Sequence, residues 1–103
     1  MADPMRIRAA VAGDETTVRV LMSHVMEPGT RRDAAGALIP GHYIKDVTAT
    51  HNGKVVLEAA FSGAVAQNPF LSFKFKGGAK GDKVSVSWVD NKGEKRTDEV
   101  VVS

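Results

Sequence analysis

The sequence predicts an all-β fold, an antiparallel sandwich of about seven strands, and three observations carry that prediction. From Leu71 to Lys76 the chain alternates strictly, with Leu71, Phe73 and Phe75 on one side and Ser72, Lys74 and Lys76 on the other. Val84, Val86 and Trp88 alternate with Ser85, Ser87 and Val89 in the same way. Asn52-Gly53 stands between two further alternating runs, the strongest short-range signal for a two-residue hairpin. Period-two alternation marks strands with one face buried, and no stretch shows a sustained helical period. Because aromatic side chains bury the most area per residue, the phenylalanine strand is expected at the centre of the core. The residues expected to be buried are Leu71, Phe73, Phe75, Val84, Val86 and Trp88.

Taken in order, Met5 to Val11 reads as the first strand, broken at Gly13-Asp14. Thr17 to Met26 is the second, β-branched at Thr17, Val18 and Val20. The pattern then stops. Glu27 to His42 contains Pro28-Gly29, Gly36 and Pro40-Gly41 and has neither strand nor helix period, a length of irregular chain that is often functional. Tyr43 to His51 and Lys54 to Phe61 flank the Asn-Gly turn. Gly63 to Asn68 connects to the phenylalanine strand, and Asp90-Asn91-Lys92-Gly93 ends the tryptophan strand as a turn. Lys95 to Val102 closes the chain. Seven short strands at this spacing form the pattern of an immunoglobulin-like sandwich.

A chain of 103 residues is one domain's worth, 1–103, and long enough to bury a core without cross-links. It has no cysteine, which excludes a disulfide framework, a thiolate metal site and a cysteine nucleophile. A net charge of +2 is mild for a dedicated nucleic-acid binder. No apolar run approaches the roughly 20 residues of a membrane-spanning helix. The N-terminal residues run directly into strand alternation without a signal-peptide apolar region, so the chain by itself is expected to carry no export address.

Sites for chemistry are sparse. His24, His42 and His51 are widely and irregularly spaced, and a zinc site would need all three and a carboxylate brought together by the fold. No metal, cofactor or catalytic residue is therefore assigned. Asp98 and Glu99 are adjacent on a strand and point to opposite faces, which argues against a general acid/base pair. Lys74, Lys76, Lys80 and Lys83 read as a solvated sheet face and its turn, without aromatics for base stacking. Met22, His24 and Met26 share one face of the second strand. Met22 is expected in the core, while His24 and Met26, beside the long loop, are candidates for a partner interface.

Four stretches carry a resemblance. Val20-Leu21-Met22-Ser23-His24-Val25-Met26-Glu27-Pro28-Gly29-Thr30-Arg31-Arg32-Asp33 resembles a characteristic region of the SoxZ family, a subunit of the bacterial sulfur-oxidation carrier. Ile39-Pro40-Gly41-His42-Tyr43-Ile44, Asn68-Pro69-Phe70-Leu71-Ser72-Phe73 and Trp88-Val89-Asp90-Asn91-Lys92-Gly93-Glu94 are similar to its further blocks, in the family's order. Two positions depart from the pattern: Val25 stands where proline is usual, and Pro28 where threonine is common. The resemblance implies a non-catalytic subunit in a heterodimer with a SoxY-like, immunoglobulin-like partner. That partner's C-terminal arm, ending in a Gly-Gly-Cys-Gly-Gly pattern, carries sulfur intermediates covalently during thiosulfate oxidation. The resemblance also implies a periplasmic location, reached by co-export with the partner, and transient contacts with other sulfur-oxidation enzymes.

The docking surface for that partner is expected at His24, Met26, Arg31, Arg32, Leu38 and Ile39, where arginines flank apolar residues. Leu38 and Ile39 have an alternative, folding back to cap one end of the sandwich. The competing readings of the whole chain are a small histidine-based enzyme and a free-standing module that binds an anion, a metal or nucleic acid.

Overall fold

The computed structural model describes residues 4–62 and 65–103, so the expected connection Gly63 to Asn68 lies partly outside the described residues. Seven strands follow in order: β1 (Arg6–Ala12), β2 (Glu15–Leu21), β3 (Ile44–His51), β4 (Lys54–Ala60), β5 (Phe70–Lys76), β6 (Lys83–Asp90) and β7 (Lys95–Val101). They form two antiparallel sheets, β1-β2-β5 and β4-β3-β6-β7. No helix occurs among the described residues. The all-β, immunoglobulin-like sandwich read from the alternation is the fold observed.

Local chemistry explains the turns. Asn52 and Gly53 adopt φ of 49° and 87°, the doubly left-handed pair that a type I′ hairpin needs between right-twisted strands. A β-bulge between Ala49 and Thr50 then shifts the β3–β4 register.

The core lies between the central strands of the two sheets. Val18 and Val20 of β2, Val47 and Ala49 of β3, and Val84, Val86 and Trp88 of β6 are all buried, joined by Met22, Met26 and Ile44. One expectation needs correction. The phenylalanine strand is not central: β5 is an edge strand, paired only with β2, and Leu71, Phe73 and Phe75 are half-buried at the rim of the core. Pairing on one side only leaves the outer edges of these side chains in solvent. The middle is filled instead by Trp88 and Met22 set among compact β-branched residues, across the roughly 10 Å gap between packed sheets.

One side of the sandwich is sewn shut by backbone. Val11 N–H donates to the Ser103 carbonyl at 3.1 Å, and Ser103 N–H donates to the Ala9 carbonyl at 3.0 Å, so the end of β7 joins β1 across the sheets. Asp98 adds to the closure. It accepts from Arg96 Nε at 3.0 Å and Nη2 at 2.9 Å, and from the Met5 amide at 2.9 Å.

The excursion from Glu27 to His42 is a narrow irregular hairpin. Glu27 and His42 pair through 2.7 and 2.8 Å amide–carbonyl bonds, and Arg32 bridges Leu38 farther out. At the tip, Asp33 Oδ1 accepts from the amides of Ala35 and Ala37. The sequence shows no period here because both faces of the hairpin meet water, so nothing imposes alternation.

The burial pattern predicts unequal costs for two aromatic truncations. Trp88→Ala should lose about 3–5 kcal/mol, the range for a core aromatic, and Phe73→Ala distinctly less, because its ring is only half-buried. Urea unfolding of both variants measures this; equal losses would place β5 in the core centre after all.

Candidate partner-docking site

The hairpin is held at its root by residues far apart in sequence. Beyond Leu21 the chain stays extended outside the sheet ladder: Met22 N–H donates to the Pro69 carbonyl at 2.9 Å, and His24 N–H to Asn68 Oδ1 at 3.0 Å. The alternation of β2 therefore continues, and Met22, His24 and Met26 all turn inward. Met26 then takes a φ of 50°, and its amide donates to Nδ1 of His24 at 3.1 Å, which starts the hairpin.

At the centre of the root lies Asp90, a fully buried carboxylate. Its Oδ2 is 3.1 Å from His24 Nε2 and 2.7 Å from His42 Nε2. Its Oδ1 accepts from the amides of Lys92 at 3.0 Å and Glu94 at 2.9 Å. Burial pushes the Asp90 carboxyl up, but the hydrogen bonds from the two histidines and from the Glu94 and Lys92 amides outweigh it. Its pKa therefore lies below the ordinary carboxylate value. The His24 ring also meets His42 edge-on at 4.6 Å and Trp88 at 5.1 Å. Asn91, next in sequence, clamps the returning strand: it accepts from the Tyr43 amide at 2.8 Å and donates to the Gly41 carbonyl at 2.9 Å.

This cluster bears on the question of a metal. One ligand atom from each of His24, His42 and Asp90 falls within 4.8 Å of the others, the one such grouping among the described residues. The hydrogen bonds argue against using it. Because His24 Nδ1 accepts from the Met26 amide, the proton of its neutral ring belongs on Nε2, where it is donated to Asp90. Freeing Nε2 for a cation would move that proton to Nδ1 and set two donors against each other. His51, the third histidine, pairs separately with Asp82 at 2.7 Å and packs on Phe75. Of the three side chains, His24 and Asp90 are buried and His42 is partly open to solvent.

The expected docking residues separate into two groups. His24 and Met26 are buried and occupied within the subunit, so their side chains serve the hairpin root rather than an outer surface. This corrects their assignment, and the reason is that the β2 alternation runs on past its last paired residue. Arg31, Arg32 and Leu38 are exposed, and Ile39 is half-buried. Leu38 is 54% exposed, so it does not cap the sandwich. Arg31 forms an ion pair with Glu27, each favouring the other's charged form, and Arg32 donates to the Gly36 carbonyl at 2.7 Å. The arginines are thus oriented by the hairpin itself. Asp90 is not singled out by the sequence, and His42 enters there only as one of three histidines weighed for a metal site. The signal was present for Asp90: Val84, Val86, Trp88 and Asp90 share one parity, so the buried face runs straight into the turn.

Residues 5–101 match the family described as sulphur oxidation protein SoxZ. The chain belongs to the SoxZ family. Membership carries a role in the Sox system of sulfur oxidation and association with other Sox proteins. The stretches that carried the resemblance meet in space: His24, Asn68, His42, Tyr43, Asp90 and Asn91 are the residues hydrogen-bonded around the hairpin root. No curated protein matches significantly. Among solved structures, a hypothetical protein from Pyrococcus horikoshii OT3 is similar with a TM-score of 0.69 at 19% identity, over 99% of this chain and 89% of that one. That likeness speaks for the fold alone.

Asp90→Asn should lower stability by about 1–3 kcal/mol, because an amide NH₂ would face a buried histidine donor. Asp90 here and Asp98 at the β7–β1 closure predict the pH response. Asp90 and Asp98 both have folded pKa values below the ordinary 3.8. Near and below that value the unfolded chain binds more protons than the folded one, so stability is present above 3.8 and is lost as pH falls through the depressed values. Thermal melts across an acid series should show this limb in the parent chain and a shallower one in Asp90→Asn; identical slopes would contradict it.

Proposed function

We propose that this chain is the non-catalytic subunit of a heterodimeric sulfur carrier in thiosulfate oxidation. It binds and supports a SoxY-like subunit whose C-terminal cysteine carries the covalent sulfur intermediates, and the pair works in the periplasm. The observation that carries this reading is the family match over nearly the whole chain. A second observation is chemical: a covalent sulfur carrier needs a thiolate, and this chain has no cysteine, so the thiol belongs to a partner.

The hairpin is the element this reading assigns to the partner. Its outer part, residues 30–38, is exposed throughout, yet its root is fixed by buried hydrogen bonds. A preformed projection loses little conformational entropy on binding. Leu38 supplies an apolar contact, and Arg31 and Arg32 supply oriented donors for carboxylates or an anionic sulfur adduct.

Co-purification with a tagged SoxY-like subunit tests the proposal, the expected product being a one-to-one complex. Changing Leu38 and Ile39 together to serine should weaken that complex at least tenfold while the melting temperature of the subunit stays nearly unchanged. Unchanged affinity would move the interface off the hairpin. Thiosulfate oxidation by the subunit alone would overturn the non-catalytic assignment.

A further inference from the structure

A second surface stands out on the outer face of the β1-β2-β5 sheet. The register places its outward side chains in four rows: Arg6, Leu21 and Phe70; Arg8, Arg19 and Ser72; Ala10, Thr17 and Lys74; Ala12, Glu15 and Lys76. Five cations share this face with a single carboxylate. The outer face of the other sheet is mixed, with Asp46, Glu58 and Glu99 beside Lys83 and Lys95. The net charge of +2 therefore hides a strong asymmetry.

The arrangement is costly to the fold. Arg8 and Arg19 are directly opposite each other on adjacent strands, a like-charge pair that destabilises a sheet. None of Arg6, Arg8, Arg19, Lys74 and Lys76 forms an ion pair among the described residues. Lysines on β5 are explained as guards of an exposed edge, but Arg19 lies on the central strand, where there is no edge to guard. Beside the arginine pair, small residues leave a groove of about 620 Å³ between this face and the end of β7, floored by Ala10, Ala12 and Thr17. At the other end of the face, Phe70 is 63% exposed and abuts exposed Leu21.

We propose that this face docks an acidic protein surface, one that presents carboxylates to the Arg8–Arg19 pair and an apolar side chain to Phe70 and Leu21. The charges are complementary only to an anionic partner, and the apolar end favours protein over nucleic acid, since a lone aromatic gives no stacking track for successive bases. Three short strands offer a small area, so the contact belongs to the transient, electrostatically steered class. It is distinct from the hairpin and does not depend on what docks there.

The probe is a synthetic peptide of alternating glutamate and aspartate with a central leucine, titrated into the isotopically labelled full chain by NMR. A single-stranded oligonucleotide of equal length and sodium sulfate serve as comparisons. Expected are shifts of the β1, β2 and β5 amides around Arg8, Arg19 and Ser72, with affinity falling several-fold as ionic strength rises. Arg8→Glu should reduce peptide affinity at least tenfold and yet raise the melting temperature, because it replaces a repulsive cross-strand pair with an attractive one. That opposition separates a binding role from a structural one. Unchanged peptide affinity in Arg8→Glu would overturn the proposal, as would tighter binding of the oligonucleotide, or a SoxY-like partner that buries these same amides in the heterodimer.

Discussion

The placement of the hairpin on the sandwich depends on one buried carboxylate. Asp90 sits at the last inward position of β6, and its two oxygens accept from His24, His42 and the amides of Lys92 and Glu94. Through these bonds a single side chain fixes the turn into β7, the extended chain after β2 and the return strand of the hairpin. An isolated buried charge would be expensive, but this one meets four donors, and burying a fully satisfied anion is tolerable. The sandwich would close on its apolar residues without it. The hairpin would not have a defined direction.

The fold was legible because its signals are local. Alternation located all seven strands, and Asn52-Gly53 specified the β3–β4 turn through the positive φ that both residues tolerate. Strand order is less accessible, since it depends on which edges find partners across the molecule. That is why the aromatic residues of β5 suggested the core centre when pairing leaves them at its rim. Residue size reports how much a side chain can bury, not where the sheet ends.

The candidate site was legible in part for the same reason. Exposed Arg31, Arg32 and Leu38 follow from a polar stretch without period. His24 and Met26 looked like surface because they border that stretch, whereas they extend the buried face of β2 beyond its last ladder pair. The partnership of His24 and His42 with Asp90 spans 66 and 48 residues of sequence, and spacing alone does not reveal such a contact. The basic face likewise emerges only when register aligns Arg8 with Arg19.

At the hairpin root the two antiparallel segments come closest at Gly29 and Gly41. A Cβ on Gly29 would lie 3.1 Å from the Gly41 Cα, and Gly29 has a φ of 84°. Backbone therefore rests on backbone, and the spacing of the two segments here is set by main-chain contact rather than by any side chain of the tip. The projection is thus separable from the body that carries it. Residues 30–38 can change in sequence or length without disturbing the sandwich, while the glycine contact cannot. One such base can carry different recognition tips, and transplanting a tip between relatives is the corresponding engineering route.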